Sequence, residues 1–235
     1  MWYITTYQPV SLTSLKLSTA TSTGGKSLLL PTPFAFKMAL LDVIIQAAGL
    51  AEGKALWPSI RGGQVALVGP AHIAVTNTFT KILKPMKGRP TLDEETGLTR
   101  GMINTIGFRE YVQWQGNVQI AFAPGETMAQ RWPQWLTTIY YIGKRGGFIQ
   151  ASGDCLELED LPENFMRLDR TADEFPIQGT LQLMDDCAST SSFDQVDIYS
   201  DGKLRVGTDR ILRHIILPYR VERASRGYTL YRRVG

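Results

Sequence analysis

Cysteine and histidine are scarce: 235 residues contain two of each. Cys155 and Cys187 lie in separate segments without metal-ligand spacing, which argues against a disulfide framework or a structural zinc site and fits the reduced cytoplasm. His72 follows Gly-Pro-Ala and His214 lies in Arg-His-Ile-Ile. Each is explained more simply as a structural or exposed histidine than as a general acid or base. Long hydrophobic runs are also missing. The longest, Met38 to Leu50, is broken by Asp42 and Gln46, and no basic stretch followed by an apolar one opens the sequence, so neither a membrane span nor a signal peptide is expected. What is present, 43% hydrophobic residues, can fill a core.

The net charge of +3 conceals a strong segregation. Residues 1–150 carry 14 Lys and Arg against 7 Asp and Glu, residues 151–201 carry 2 against 13, and residues 202–235 carry 9 against 2. Such blocks suit a nucleic acid on one face and a basic partner or plain solvent on another.

The opening Met1 to Pro9, rich in aromatic and β-branched residues, predicts a strand. Pro31 and Pro33 mark the start of a helix over 34–48 that Gly49 stops. Lys37 falls on its apolar side, where it either snorkels to the edge of the core or points at an anion near the helix N-terminus. Gln64 to Thr76 predicts a strand kinked at Gly69-Pro70 or two short strands, and 77–105, polar and turn-rich, predicts a long projecting hairpin, or else a disordered surface loop, carrying Lys81, Lys84, Lys87, Arg89 and Arg100. Period-two alternation follows in 106–122, with Arg109 and Tyr111 on one face, a pair able to hold a phosphate and stack a base, or an ordinary solvated pairing of Arg109 with Glu110. Trp132, Trp135, Leu136, Ile139 and Tyr140 recur at helical spacing and read as core.

That helix delivers the chain to Gly143-Lys144-Arg145-Gly146-Gly147, where two cations sit between glycines. Either Gly143 caps the helix and the cations complement its dipole, or the loop approaches a phosphate. Gly24-Gly25-Lys26-Ser27 is not a P-loop: Ala20 stands where the first glycine belongs, and no helix starts at the Lys-Ser pair. Through residue 150 the order is strand, helix, strand, insertion, strand, helix, strand. This is an α+β, ferredoxin-like (RRM-like) βαββαβ arrangement. Residues 151–235 read as a second part, an acidic wrap followed by short strands near 177–184, 196–199, 204–206, 211–217 and 228–231. The last strands bear Arg220, Arg223, Arg226, Arg232 and Arg233, partly a solvated edge and partly a contact surface.

In its N-terminal strand, the Pro-Thr-Pro-Phe-Ala-Phe-Lys-Met-Ala-Leu-Leu helix start, the basic insertion, Phe108-Arg109-Glu110-Tyr111-Val112 and Gly143 to Phe148, the chain resembles the fifth CRISPR-associated (Cas) family. Members of this family are RAMP-superfamily subunits of type I Cascade complexes. The resemblance covers residues 1–150 well and the rest in outline. It implies a ferredoxin-like domain that grips the 5′ handle of the CRISPR guide RNA and caps the filament of backbone subunits. Residues 77–105 would then form a thumb whose Lys81, Lys84, Lys87 and Arg89 face the neighbouring subunit and the guide. Lys26, Lys37, Arg109, Lys144 and Arg145 become RNA contacts, with Tyr111 for stacking. Other implied partners are the large subunit, target DNA through the complex, and in some systems a transposition apparatus. No membrane, metal or cofactor is implied. Some relatives cut the guide precursor with a tyrosine, a lysine and a histidine. With histidine so scarce no catalytic residue is assigned, and a metal-independent endoribonuclease is the second reading. A purely structural interaction protein, the third, would show no salt-dependent RNA affinity.

Overall fold

The computed structural model describes residues 1–17, 25–125, 129–144, 146–169 and 178–234. Helix α1 (Pro33–Ala48) starts where the Thr32 hydroxyl accepts a hydrogen bond from the Ala35 N–H at 3.1 Å, with Pro33 in its first turn. It ends at Gly49, whose φ of 89° suits glycine. A second helix, α2 (Leu50–Gly62), follows directly. The sequence reading has no element there, because Gly53 and Pro58 disfavour a helix interior. Gly53 is required by closeness: any Cβ would collide with the Ile45 side chain of α1.

Strand β1 (Trp2–Pro9) precedes α1; β2 (Gln64–Val68), β3 (His72–Pro85), β4 (Met102–Gln115) and β5 (Val118–Ala123) follow α2, then α3 (Trp132–Thr138) and β6 (Ile149–Ala151). The main sheet runs β6-β1-β5-β2, every neighbour antiparallel. One face is covered by α1 and α3: Phe36, Leu40, Ile44, Trp132 and Trp135 pack with Tyr3, Tyr7, Ile120 and Phe122. The rings interlock, Phe36–Phe122 at 5.9 Å and Phe122–Trp132 at 5.6 Å between centroids. Truncating one of these aromatics to alanine would cost about 3–5 kcal/mol. Tyr140, expected in this stripe, is 44% exposed, because α3 ends two residues earlier. On the opposite face Trp2, Ile4, Ala66, Ala121 and Phe165 form a smaller cluster. The acidic segment closes it, pairing Leu156–Leu158 with β1 and Met166–Arg167 with β2.

The second half contributes β7 (Thr180–Cys187), β8 (Arg210–Leu217), β9 (Tyr219–Ala224) and β10 (Tyr228–Arg233). The β7–β8 hairpin packs on α1, and β10 pairs with His72–Thr76 to give a four-stranded sheet β9-β10-β3-β4. Met184, Ile215, Leu217 and Tyr219 share the core of Tyr3 and Phe36, so the expected division at residue 150 is not a division of the core. The strands expected at 196–199 and 204–206 do not form. Phe193–Val196 is one helical turn with a capping box at Ser192, and only isolated bridging involves Val206.

Strands β3 and β4 remain paired from His72↔Gln115 out to Pro85↔Met102, one long hairpin that contains the predicted insertion. Its outer half exposes Phe79, Leu83, Leu92, Leu98 and Ile106. Among the described residues no helix is long and apolar enough to cross a membrane.

Candidate nucleic-acid interface

Helix α3 stops at Thr138, and Ile139 is already extended (φ −62°, ψ 122°), so Gly143 is not its cap. Instead Tyr141 bridges Phe148, the Ile142 N–H donates to the Gly147 carbonyl at 3.1 Å, and the Gly147 N–H donates to the Lys144 carbonyl at 3.0 Å. These bonds close a tight loop. Gly143 holds φ at 78°, a conformation that favours glycine, and a Cβ there would also push the end of the Leu15 side chain aside. Ser11 ties the loop down, accepting from the Phe148 N–H at 2.8 Å and donating to the Gly146 carbonyl. The loop presents Lys144 to solvent. Arg145 lies outside the described residues.

Lys144 meets Lys16 on a cavity of about 250 Å³ at the N-terminal end of α1, with Thr32, Phe34 and Tyr141 in its wall. Both lysines are exposed, and neither has an ion pair among the described residues. Arg210 also reaches this cavity but is engaged, paired with buried Asp185 and stacked 4.2 Å above the Phe34 ring. Two free ammonium groups beside the positive end of a 16-residue helix make a place for an anion. Sequence reasoning missed Lys16, a lone lysine in a two-residue strand. It converges on Lys144 only through the Leu15–Lys16 and Ser27–Leu28 ribbon.

Lys26 stands on that ribbon's other side, lining a groove of about 490 Å³ with Phe108, Glu110, Gln182 and Tyr231. The preceding glycine has a clear purpose. The Gly25 carbonyl accepts from the Glu110 N–H at 2.8 Å, and the Ser27 N–H donates to the Glu110 carboxylate at 2.7 Å. A Cβ on Gly25 would collide with the Phe108 carbonyl. Gly25-Lys26-Ser27 is therefore a strap laid on β4.

Lys37 must be withdrawn from the RNA contacts. Its side chain is 1% exposed, with Nζ 2.6 Å from Asp186 Oδ1 and donating to the Arg61 carbonyl at 2.8 Å. A buried ammonium needs a partner, and the anion it points at is Asp186. Arg109 and Tyr111 do share a face, but the opposite one from Phe108 and Glu110, so the strand does not bring them to Lys26. On that outer face lie Tyr228, Arg220, Arg223 and Arg232, which β10 and β9 add to the sheet. Lys81, Lys87 and Arg89 are exposed along the outer half of the long hairpin and Lys84 is half-buried, away from the cavity. His72 Nε2 is 3.4 Å from Glu222, His214 is exposed on β8, and neither lines the cavity. Among the described residues no cluster of His, Cys, Asp or Glu could hold a metal ion.

No protein-family model matches this chain. The CRISPR-associated protein Cas5 of Archaeoglobus fulgidus is 28% identical over 120 residues, 51% of this chain and 50% of that protein. The match thus spans about half the length of that curated relative. A crystal structure of a CRISPR protein from Archaeoglobus fulgidus superposes with a TM-score of 0.46 at 11% identity, over 100% of this chain and 92% of the other. A likeness of that degree leaves the topology to be read from the strand pairings themselves.

Proposed function

Taking the likeness to the Cas5 family as the premise, now matched by a curated relative, we propose that this chain is a non-catalytic Cascade subunit of the cytoplasm. In this reading it holds the 5′ handle of a CRISPR guide RNA and caps the filament of backbone subunits. One observation carries the proposal: Lys16 and Lys144, without an ion pair among the described residues, converge on a cavity at the start of α1, where a phosphate gains from both charges and from the helix dipole. Lys26 offers a further cation on the other side of the ribbon, and Arg145 follows Lys144 in sequence. The order β6-β1-β5-β2, with helices after the first strand and before the last, supports a ferredoxin-like core. The long β3–β4 hairpin supports the thumb, its Lys81, Lys84, Lys87 and Arg89 turned to the neighbouring backbone subunit and the guide. The large subunit, target DNA and, in some systems, transposition proteins are partners reached through the complex.

The reading without catalysis is favoured by the two histidines, which stand apart from the basic cavity. Incubating the pure protein with repeat RNA in chelator tests it. Binding without cleavage is the expected outcome, and specific cleavage would replace it with a metal-independent endoribonuclease.

A further inference from the structure

The outer face of the sheet β9-β10-β3-β4 has a composition that the guide-handle cavity does not use. Pairing aligns Tyr228, Thr76 and Tyr111 across three strands. Strands lie about 4.8 Å apart, so the two tyrosines stand about 10 Å from each other on one face. Each is 37% exposed. Two rows further along the face, Arg220 lies directly opposite Arg232, which lies opposite His72, and beyond the β9 bulge Arg223 returns to the same face in the row between, opposite Leu230. Arg109 continues the face on β4, opposite Thr78. Like charges directly opposite one another destabilise a sheet. Among the described residues none of these four arginines has an ion pair. Glu222 of β9 is 3.4 Å from His72 rather than from an arginine, and Arg220 donates to the neutral Gln178 side chain.

We propose that this face is a second nucleic-acid site, for a single strand: unpaired bases stack on Tyr111 and Tyr228 while Arg109, Arg220, Arg223 and Arg232 take the backbone phosphates. Charge complementarity selects a polyanion. Exposed, register-aligned tyrosines select single strands, because only unpaired bases offer a free face for stacking. Contact through phosphate charge and ring faces carries little sequence preference. Arg109 and Tyr111 point away from the strand face that lines the Lys26 groove, so a strand here is not the segment held at Lys144. The inference therefore stands on its own geometry and does not depend on the guide-handle reading.

The test uses the full chain, a fluorescein-labelled oligothymidylate of about 12 nucleotides and a duplex of equal length, with affinity followed by anisotropy as salt is raised. Wild type should bind the single strand more tightly than the duplex. Tyr228→Ala should weaken binding about fivefold or more. Arg223→Gln with Arg232→Gln should make the log–log salt slope shallower by about 1.4, the share of two phosphate contacts on a single strand. All three side chains are exposed, and Tyr228→Phe, which keeps the ring, should bind as wild type. Unchanged affinity in the alanine and glutamine variants overturns the proposal, as does a preference for duplex. Failure of wild type to bind the single strand overturns it too and leaves the face to an acidic protein. The guide-handle site is read separately, with repeat RNA and Lys16→Gln/Lys144→Gln, so one reading can fail while the other stands.

Discussion

Lys37 Nζ and Asp186 Oδ1 meet at 2.6 Å in the contact between α1 and β7, both shielded from solvent. Asp186 also accepts from the Cys187 N–H at 2.7 Å, and the Arg213 guanidinium lies 3.9 Å from its other oxygen. A buried pair of this kind contributes little net stability, but breaking it strands a charge. Lys37→Met should therefore destabilise the fold by about 3–5 kcal/mol, while Lys37→Met with Asp186→Leu should recover most of that loss. Urea denaturation of the three proteins checks it. If the single substitution is as mild as the double, the pair is not what holds this contact.

That pair also shows where sequence reading stops. Its start and stop signals were legible: Pro33 and Gly49 delimit α1 to within a residue, and the Trp132, Trp135, Leu136 stripe is core. The partner of Lys37 lies 149 residues away, and nothing local to the lysine points to Asp186. The same holds for Tyr228 and Tyr111, aligned only because β10 adds to β3. Helix α2 was hidden because its glycine answers to α1 packing rather than to helix propensity. Gly143 read naturally as a cap because its positive φ suits either role, and only the early end of α3 decides between them. Of the site, the lysine in the glycine loop was legible and Lys16 was not.

Gly25 offers a sharper probe of the strap on β4. Gly25→Ala forces the backbone away from Phe108 and should cost about 1–3 kcal/mol, as overpacking does, with a parallel loss of guide-RNA affinity as Lys26 is displaced. Gly62→Ala, at the end of α2 with open space around the new methyl, should be neutral or slightly stabilising. Thermal melts of both variants, with RNA titrations, separate the effects. Equal melting temperatures would remove the close approach from the account.

Alkaline pH should loosen the fold through protons held in the interior. Burial pushes the Cys187 thiol up to about 12 and raises the Tyr7 and Tyr219 phenols, whose hydroxyls donate to the Leu136 carbonyl at 2.8 Å and the Pro70 carbonyl at 2.6 Å. The folded state binds these protons more tightly than the unfolded state. Their contribution is complete below the unfolded thiol value near 8.5 and is lost as pH rises, the thiol part first and the phenol part above about 10. Melting temperature should fall over that range. At pH 8 a thiol reagent should leave Cys187 unmodified until denaturant is added. Rapid modification of Cys187 in the native protein would contradict its burial.

The central claim is that Lys16 and Lys144 hold guide RNA at the start of α1. Its most direct measurement is the affinity of repeat-derived handle RNA for wild type and for Lys16→Gln/Lys144→Gln across a salt series. Loss of both contacts should weaken binding at least about tenfold at low salt and make the log–log salt slope shallower by about 1.4. Equal affinity and an equal slope in the double variant would contradict the claim.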